Sequence, residues 1–194
     1  MNQGTLDRRA AVATLLKDRG DLLVVTGLGS PSYDCFAAGD DPLNYYLWAA
    51  MGSACTVGFG LAMTQRERPV VVVTGDGEML MGLGAIASIA QKRPPNLTIA
   101  VIDNGHYGET GMQLSHSGRG IELSRIAGAC DFPWSGAITD MAGVEALRGR
   151  IHAKSGTAFA TIKVGSDELP RALPSRDGVA VKNRFRAALG LQTI

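Results

Sequence analysis

Short apolar segments alternate along the chain with segments in which apolar residues recur every three or four positions. The short apolar segments predict strands at residues 22–26, 70–74, 97–102, 135–138 and 158–164. Helical spacing predicts helices at residues 7–19, 53–65, 78–92, 121–129, 141–153 and 177–189. Glycines, prolines and polar runs place residues 31–44 and 105–120 in loops. This alternation predicts a three-layer α/β domain over residues 1–194, with a mostly parallel sheet and helices on both faces.

The middle of this pattern is a strand–helix–strand unit. The strand at residues 70–74 is a run of β-branched residues, and one helix separates it from the strand at residues 97–102. Such a crossover is right-handed, so the two strands should be parallel neighbours. Asp76 and Asn104 then lie at the carboxyl ends of both strands, where open α/β sheets bind ligands.

Asp76 and Asn104 have the chemistry of a magnesium site. A carboxylate and an amide oxygen placed together suit a hard divalent cation such as Mg²⁺. The backbone N–H groups of Gly77 and of the start of the helix would face phosphates that the metal neutralises. Both side chains could instead be ordinary turn residues, but their paired placement at two strand ends favours the metal.

Composition and charge exclude several other classes of protein. The 194 residues are 45% hydrophobic and carry a net charge of +1, which argues against a surface for nucleic acid or anionic membranes. No stretch approaches the roughly 20 apolar residues of a membrane span, and the first residues lack the apolar core of a signal peptide. Cys35, Cys55 and Cys130 are widely spaced and are interpreted as reduced thiols. These features predict a cytoplasmic protein.

A family resemblance is visible at the same residues. The sequence GDG at residues 75–77, followed after 26 residues by Asn104, resembles the signature of thiamine-diphosphate-dependent enzymes. Residues 103–113, 169–179 and 182–185 are similar to sulfopyruvate and phosphonopyruvate decarboxylases. The resemblance implies the thiamine-diphosphate-binding fold, with thiamine diphosphate and Mg²⁺ as cofactors.

The resemblance also implies roles for individual residues. Asp76, Asn104 and the main-chain oxygen of His106 would bind Mg²⁺. Met51 would wedge between the two rings of the cofactor and bend it, although Met51 could also be core filler. The main-chain carbonyl of Ala49 would accept a hydrogen bond from the 4′-amino group of the cofactor.

Further candidates surround these residues. The predicted cofactor contacts also include Gly27, Gly29, Ser30, Gly75, Gly77, Glu78, Tyr107 and Gly108. Residues 27–30 could instead be only a tight turn, and Tyr107 could be a packing residue. Glu78 occupies a place where the family often has a small residue, so its carboxylate is expected to point outward and leave only a backbone contact. His116 is the candidate for an imidazole near the substrate, whereas the ring of His106 has no assigned role.

The same resemblance implies that catalysis needs a second chain. In the family, a glutamate on a separate pyrimidine-binding domain activates the cofactor, and such a domain needs ~150 further residues. We therefore expect a β-type subunit that assembles as a homodimer or hetero-oligomer with an α-type, pyrimidine-binding subunit. The expected reaction is decarboxylation of a small anionic 2-oxo acid, with sulfopyruvate as first choice and phosphonopyruvate as second. The alternatives are another thiamine reaction, such as carboligation or 2-oxo acid oxidoreduction, and a non-catalytic phosphate-binding module.

Two other segments have both a structural and a functional interpretation. Residues 43–48 are apolar and aromatic, which suits either a subunit interface or an ordinary buried strand. Residues 82–87 imitate a dinucleotide-binding fingerprint. Because residues 82–87 lie inside a predicted helix and not at a strand end, we interpret them as a site of close helix packing.

Overall fold

The computed structural model describes residues 5–193 of the chain. In chain order its elements are α1 (Arg8–Leu16), β1 (Leu23–Thr26), α2 (Ser30–Ala37), β2 (Asn44–Tyr46), α3 (Ala54–Thr64), β3 (Val70–Gly75), α4 (Asp76–Met81), α5 (Ala85–Lys92), β4 (Leu97–Asp103), β5 (His106–Tyr107), β6 (Gln113–Leu114), α6 (Leu123–Ala129), β7 (Trp134–Ile138), α7 (Met141–His152), β8 (Ala158–Lys163) and α8 (Gly178–Ala188). None of the helices described within residues 5–193 combines the length and the apolar character that crossing a membrane requires.

Six of the strands form one parallel sheet in the order β2-β1-β3-β4-β8-β7. The chain runs outward in one direction from β1 to β2 and in the other direction from β3 to β4. The switch point of the sheet therefore lies between β1 and β3, and a crevice opens at their carboxyl ends. The short strands β5 and β6 form a separate antiparallel ribbon after β4. The predicted three-layer α/β fold, with a parallel sheet and helices on both faces, is confirmed.

Successive residues of each strand point to opposite sides of the sheet, and both sides are buried. In β3, Val71 and Val73 pack into the same apolar cluster as residues of α1 and α7. Val70 and Val72 pack on the other side, in a cluster with residues of α3, α5 and α6. All six residues of β8 and all seven of β4 are buried. This burial on two faces explains why the central strands appear in the sequence as continuous apolar runs.

The prediction of a loop at residues 31–44 is wrong for residues 31–37 and correct for residues 38–43. Helix α2 occupies Ser30–Ala37, and Pro31 stands in its first turn, where proline lacks no hydrogen bond that the helix needs. Strand β2 then begins at Asn44. A helix of eight residues has too few turns to show a clear apolar period, so the hydrophobic pattern did not predict it.

The single helix predicted at residues 78–92 is in fact two helices, α4 and α5, separated at residues 82–84. A Cβ atom at Gly82 would overlap the main-chain oxygen of Gly52, so the two backbones touch at this break. The close helix packing expected at residues 82–87 is met only in part. Gly82 packs closely, but it lies in the break between the helices, and its partner is the loop before α3.

The strand expected within residues 43–48 is present as edge strand β2, and the segment has partners within the chain. Its part in a subunit interface stays a prediction. The ring of Tyr45 packs edge-on against Phe185 of α8, with ring centroids 5.5 Å apart. Tyr46 is buried, and the indole N–H of Trp48 donates to the main-chain oxygen of Ser175 at 2.6 Å. These aromatic side chains thus pack against other parts of the same chain.

Candidate functional site

A cleft lies at the switch point of the sheet, and the loops that follow β1, β3 and β4 form its walls. Most of the predicted site residues meet there. The predicted residues that line the cleft are Ser30, Met51, Gly75, Asp76, Gly77, Glu78, Asn104, His106, Tyr107 and Gly108. Four other predicted residues, Gly27, Gly29, Ala49 and His116, are not among its lining residues. The prediction therefore placed the cleft correctly, but four of the predicted residues lie outside its lining.

Asp76 is the first residue of α4 and is only 2% exposed. Its Oδ2 atom accepts hydrogen bonds from the hydroxyls of Ser115 and, at 2.7 Å, of Ser117. Burial raises the pKa of Asp76, and the nearby carboxylate of Asp103 raises it further, while the two serine hydrogen bonds act in the opposite direction. A cation bound at Asp76 would relieve this repulsion.

Asn104 and His106 belong to the loop directly after β4. The Oδ1 atom of Asn104 accepts a hydrogen bond from the backbone N–H of His106 at 3.0 Å, which orients the amide, and Asn104 lines the same cleft as Asp76. The Nδ1 atom of His106 lies 2.8 Å from the main-chain oxygen of Asn104. The imidazole is therefore in contact with its own loop.

The outward orientation expected for Glu78 is wrong. The side chain is only 9% exposed, and Thr74 donates a hydrogen bond to its Oε2 atom at 2.8 Å. Burial raises the pKa of Glu78, partly offset by the bond from Thr74 and by nearby backbone N–H groups, among them those of Gly52 and Ala54. The Oε1 atom is buried and makes no hydrogen bond of good geometry to any described residue. The cleft wall therefore contains a buried carboxylate that was not predicted from the sequence.

Two of the glycines predicted to contact the cofactor stand where a Cβ atom would clash with a neighbouring side chain. A Cβ atom at Gly27 would overlap the Glu78 carboxylate. At Gly77, a Cβ atom would lie 2.7 Å from the Tyr107 ring. Gly77 thus leaves room for the Tyr107 ring beside the start of α4, and Tyr107 lines the cleft.

His116 lies beside the cleft, in contact with one of its lining residues, and its place near a substrate stays a prediction. Its Nδ1 atom lies 2.7 Å from the hydroxyl of Tyr107, and the two rings pack edge-on. The side chain of His116 is exposed and does not line the cleft itself. The imidazole therefore reaches the cleft through Tyr107, which it orients.

Met51 lies on a short turn at the mouth of the cleft. The interpretation of Met51 as core filler is wrong, because its side chain is 53% exposed. Ala50 before it has a φ of 56°, a conformation that costs free energy for any residue with a Cβ atom. Gly52 after it has a φ of 90° and packs on the backbone of Gly82. Strain on one side and close packing on the other hold Met51 in an exposed position over the cleft.

A buried polar cluster behind Asp76 was not predicted from the sequence. It consists of Ser115, Ser117, Asp103 and Lys163, which come from the loop after β6 and from the ends of β4 and β8. The sequence carried one signal for it. Lys163 ends an otherwise apolar strand, and a lysine buried in such a position requires a charged partner.

The fold and part of the sequence match known proteins. The family model described as "Thiamine pyrophosphate enzyme, C-terminal TPP binding domain" matches residues 32–162. Among solved structures, a putative thiamin diphosphate-dependent enzyme from Mycobacterium smegmatis superimposes with a TM-score of 0.69, 21% identity and coverage of 84% of this chain and 32% of that chain. Benzoylformate decarboxylase from Polynucleobacter necessarius gives a TM-score of 0.69, 18% identity and coverage of 88% and 36%. These two similarities concern the fold alone.

Curated proteins are similar over most of the chain. Sulfopyruvate decarboxylase from Methanosarcina acetivorans is 34% identical over 199 aligned positions, which cover 99% of this chain and 50% of the relative. Sulfopyruvate decarboxylase subunit beta from Methanothermobacter thermautotrophicus is 35% identical over 167 positions, which cover 85% and 86%. Phosphonopyruvate decarboxylase from Streptomyces viridochromogenes is 34% identical over 186 positions, which cover 93% and 45%. The chain thus spans about half the length of two of these relatives and most of the third.

Proposed function

The chain belongs to the thiamine pyrophosphate enzymes as a C-terminal, cofactor-binding domain, and from this premise we propose that it is the diphosphate-binding subunit of a 2-oxo acid decarboxylase. The observation that carries the proposal is the meeting of Asp76 and Asn104 at neighbouring strand ends in one cleft. The cleft opens at the switch point of the sheet, where parallel α/β folds bind phosphorylated ligands.

The residues present fit Mg²⁺ and a diphosphate. Both serine hydroxyls converge on Oδ2 of Asp76, and no side chain of the described residues donates to Oδ1, which leaves that oxygen for a cation. Asn104 Oδ1 and the main-chain oxygen of His106 would complete an all-oxygen set, with phosphate oxygens and water in the other positions. The hydroxyl of Ser30, also in the cleft wall, is a further donor for phosphate.

The residues of this chain would bind and orient the cofactor. When bound, thiamine diphosphate supplies a carbon nucleophile for the carbonyl of a 2-oxo acid and an electron sink for the bond that loses carbon dioxide. Met51 would hold the two rings of the cofactor in a bent arrangement, and the carbonyl of Ala49 would accept a hydrogen bond from the amino group. Tyr107 and Gly77 would close the side of the cleft next to the metal.

The relatives support the choice of reaction and a second subunit. The chain covers 86% of a protein named sulfopyruvate decarboxylase subunit beta and 50% of a protein named sulfopyruvate decarboxylase. We infer that an α-type, pyrimidine-binding subunit works together with this chain, that the pair works in the cytoplasm, and that a small anionic 2-oxo acid is the substrate. Sulfopyruvate is the first choice and phosphonopyruvate the second.

Mixing the chains tests this proposal. The isolated chain should self-associate or form a symmetric dimer and release no carbon dioxide from sulfopyruvate or phosphonopyruvate. Addition of the α-type chain should give a heteromer that is active with thiamine diphosphate and Mg²⁺. Light scattering and a decarboxylation assay on each chain and on the mixture provide both measurements. Full activity of a monodisperse monomer would overturn the subunit assignment.

Replacing Met51 by alanine is expected to lower turnover more than tenfold, a barrier increase of about 1.4 kcal/mol or more, with cofactor affinity changed less. The reason is that a wedge acts on the geometry of the rings, whereas the diphosphate anchor lies at Asp76. Met81 is equally exposed, at 57%, and lines the same cleft, so Met81→Ala is the matched control. Turnover within about twofold of wild type in Met51→Ala would reject the wedge role.

Replacing Glu78 by glutamine is expected to tighten thiamine diphosphate binding severalfold. The buried carboxylate lies in the cleft wall beside the proposed phosphate position, where like charges repel by on the order of 1 kcal/mol or more. Glutamine keeps the shape and can still accept the hydrogen bond from Thr74. Titration calorimetry at saturating Mg²⁺ measures the effect, and Glu109→Gln, an exposed carboxylate of the same cleft, should change affinity less. Weaker binding in Glu78→Gln would indicate that the charge supports the loop around Gly52.

A further inference from the structure

The buried cluster behind Asp76 connects the proposed metal ligand to an ion pair. The Oγ atom of Ser117 lies 2.7 Å from Asp76 Oδ2 and 2.8 Å from Asp103 Oδ1. Lys163 Nζ donates to the other oxygen of Asp103 at 2.7 Å. The cluster is thus a continuous path from Asp76 through Ser117 and Asp103 to Lys163, and none of its last three members lines the cleft.

The ion pair is fixed by the sheet itself. Asp103 and Lys163 are the last residues of β4 and β8, and the register of the two strands sets them side by side. Both side chains are buried. Burial lowers the pKa of Lys163, but Asp103 and Glu122 outweigh this and raise it, so the lysine is charged. A buried charged pair at the ends of two packed strands is therefore held in a fixed position relative to the sheet.

The number of available protons decides the direction of the hydrogen bonds. Ser117 has one hydroxyl proton and two carboxylate oxygens within reach, so it donates to only one of them. Both oxygens of Asp103 have other donors, since Oδ1 accepts from the backbone N–H of Gly105 at 3.0 Å and Oδ2 accepts from Lys163. Asp76 Oδ2 has no lysine donor among the described residues, and the side chains that donate to it are the two serine hydroxyls. The proton of Ser117 is therefore directed to Asp76.

We propose that Ser117 is a positioning residue that holds the Asp76 carboxylate with Oδ1 towards Mg²⁺, and that the Asp103–Lys163 pair directs the Ser117 proton to Asp76. Carboxylates that bind metals are commonly oriented by hydrogen bonds of this kind, and the loss of such a partner costs about 10- to 100-fold in metal affinity. The inference rests on the proposed function at one point, the assignment of Asp76 as a metal ligand.

Mn²⁺ binding to the full chain in the presence of thiamine diphosphate, followed by electron paramagnetic resonance, tests the inference without an activity assay. Ser117→Ala should weaken Mn²⁺ binding about tenfold, and Ser117→Thr, which keeps the hydroxyl, should restore it to within about threefold of wild type. Lys163→Met should also weaken Mn²⁺ binding, although Lys163 cannot contact the metal. A structural role alone would not give rescue by threonine.

A matched control separates metal affinity from stability. Thr157 lies at the opposite end of β8, where its buried hydroxyl donates to the main-chain oxygen of Pro94 at 2.8 Å. Thr157→Val should lower the melting temperature as Ser117→Ala does but leave the Mn²⁺ affinity unchanged. Wild-type Mn²⁺ affinity in a folded Ser117→Ala chain would overturn the positioning role. If Asp76→Ala also binds Mn²⁺ like wild type, the metal assignment itself fails, so the two failures are distinguishable.

Discussion

Replacing Asp76 by alanine is expected to abolish Mg²⁺-dependent binding of thiamine diphosphate, with affinity reduced by a factor of 100 or more. The carboxylate is the only charged member of the proposed oxygen set, and a buried anion contributes most of the attraction for a divalent cation. Without the metal, the diphosphate would meet the buried Glu78 carboxylate in the same cleft with no cation to neutralise it. Titration calorimetry with and without Mg²⁺ measures the effect.

The same substitution should leave the metal-free fold intact. Burial and the charge of Asp103 raise the pKa of Asp76, which means that folding disfavours its charged form. A raised carboxyl pKa destabilises the folded state above the ordinary titration range of the group, and the penalty disappears as the pH falls below that range. The metal-free melting temperature of Asp76→Ala at neutral pH should therefore equal or exceed that of wild type, and the difference should shrink in acid. A large loss of stability would show that Asp76 has a structural role.

Asn104→Ala is expected to weaken Mg²⁺-dependent cofactor binding, but less than Asp76→Ala does. Its amide oxygen is neutral and accepts a hydrogen bond only from the N–H of His106, so its removal should weaken binding less than removal of the carboxylate does. Cofactor affinity at the wild-type level in the Asp76 variant would exclude the metal assignment. An Asn104 effect larger than the Asp76 effect would show that charge is not the main contribution.

The sequence predicted the parts of the site that local rules determine. Residues 70–74 and 97–102 are central strands, their apolar runs are unbroken, and the right-handed crossover fixes their orientation. Asp76 and Asn104 follow these strands directly, so their meeting required no knowledge of other contacts. Met51 was located by resemblance to a family in which a bulky apolar residue precedes this glycine.

Other parts of the site depend on residues that are distant in the sequence. Ser117 reaches Asp76 across 41 positions, through a loop that the sequence showed only as polar and rich in glycine. The orientation of Glu78 was missed because it depends on Gly27, whose missing side chain leaves room for the carboxylate. In both cases a tertiary contact, and not a local preference, decides where the side chain lies.

Gly82→Ala is expected to destabilise the fold by about 1–3 kcal/mol and to lower turnover. An added Cβ atom would overlap the main-chain oxygen of Gly52, and a backbone atom cannot move aside as a flexible side chain does. The loop before α3 must shift instead, and Met51 shifts with it. The expected signature is a lower melting temperature together with a fall in turnover that exceeds the change in cofactor affinity.

Gly84→Ala is the control for this substitution, because it lies two residues away in the same break between α4 and α5. A Cβ atom at Gly84 would meet nothing within 4 Å, and its backbone is already helical, with a φ of −61°. Alanine at such a position reduces the freedom of the unfolded chain, so Gly84→Ala should stabilise the fold by about 0.4–1 kcal/mol with turnover unchanged. Opposite signs for the two substitutions would show that contact with Gly52, and not the loss of a glycine, controls the position of Met51. Equal effects on turnover would show that flexibility of the break is what matters.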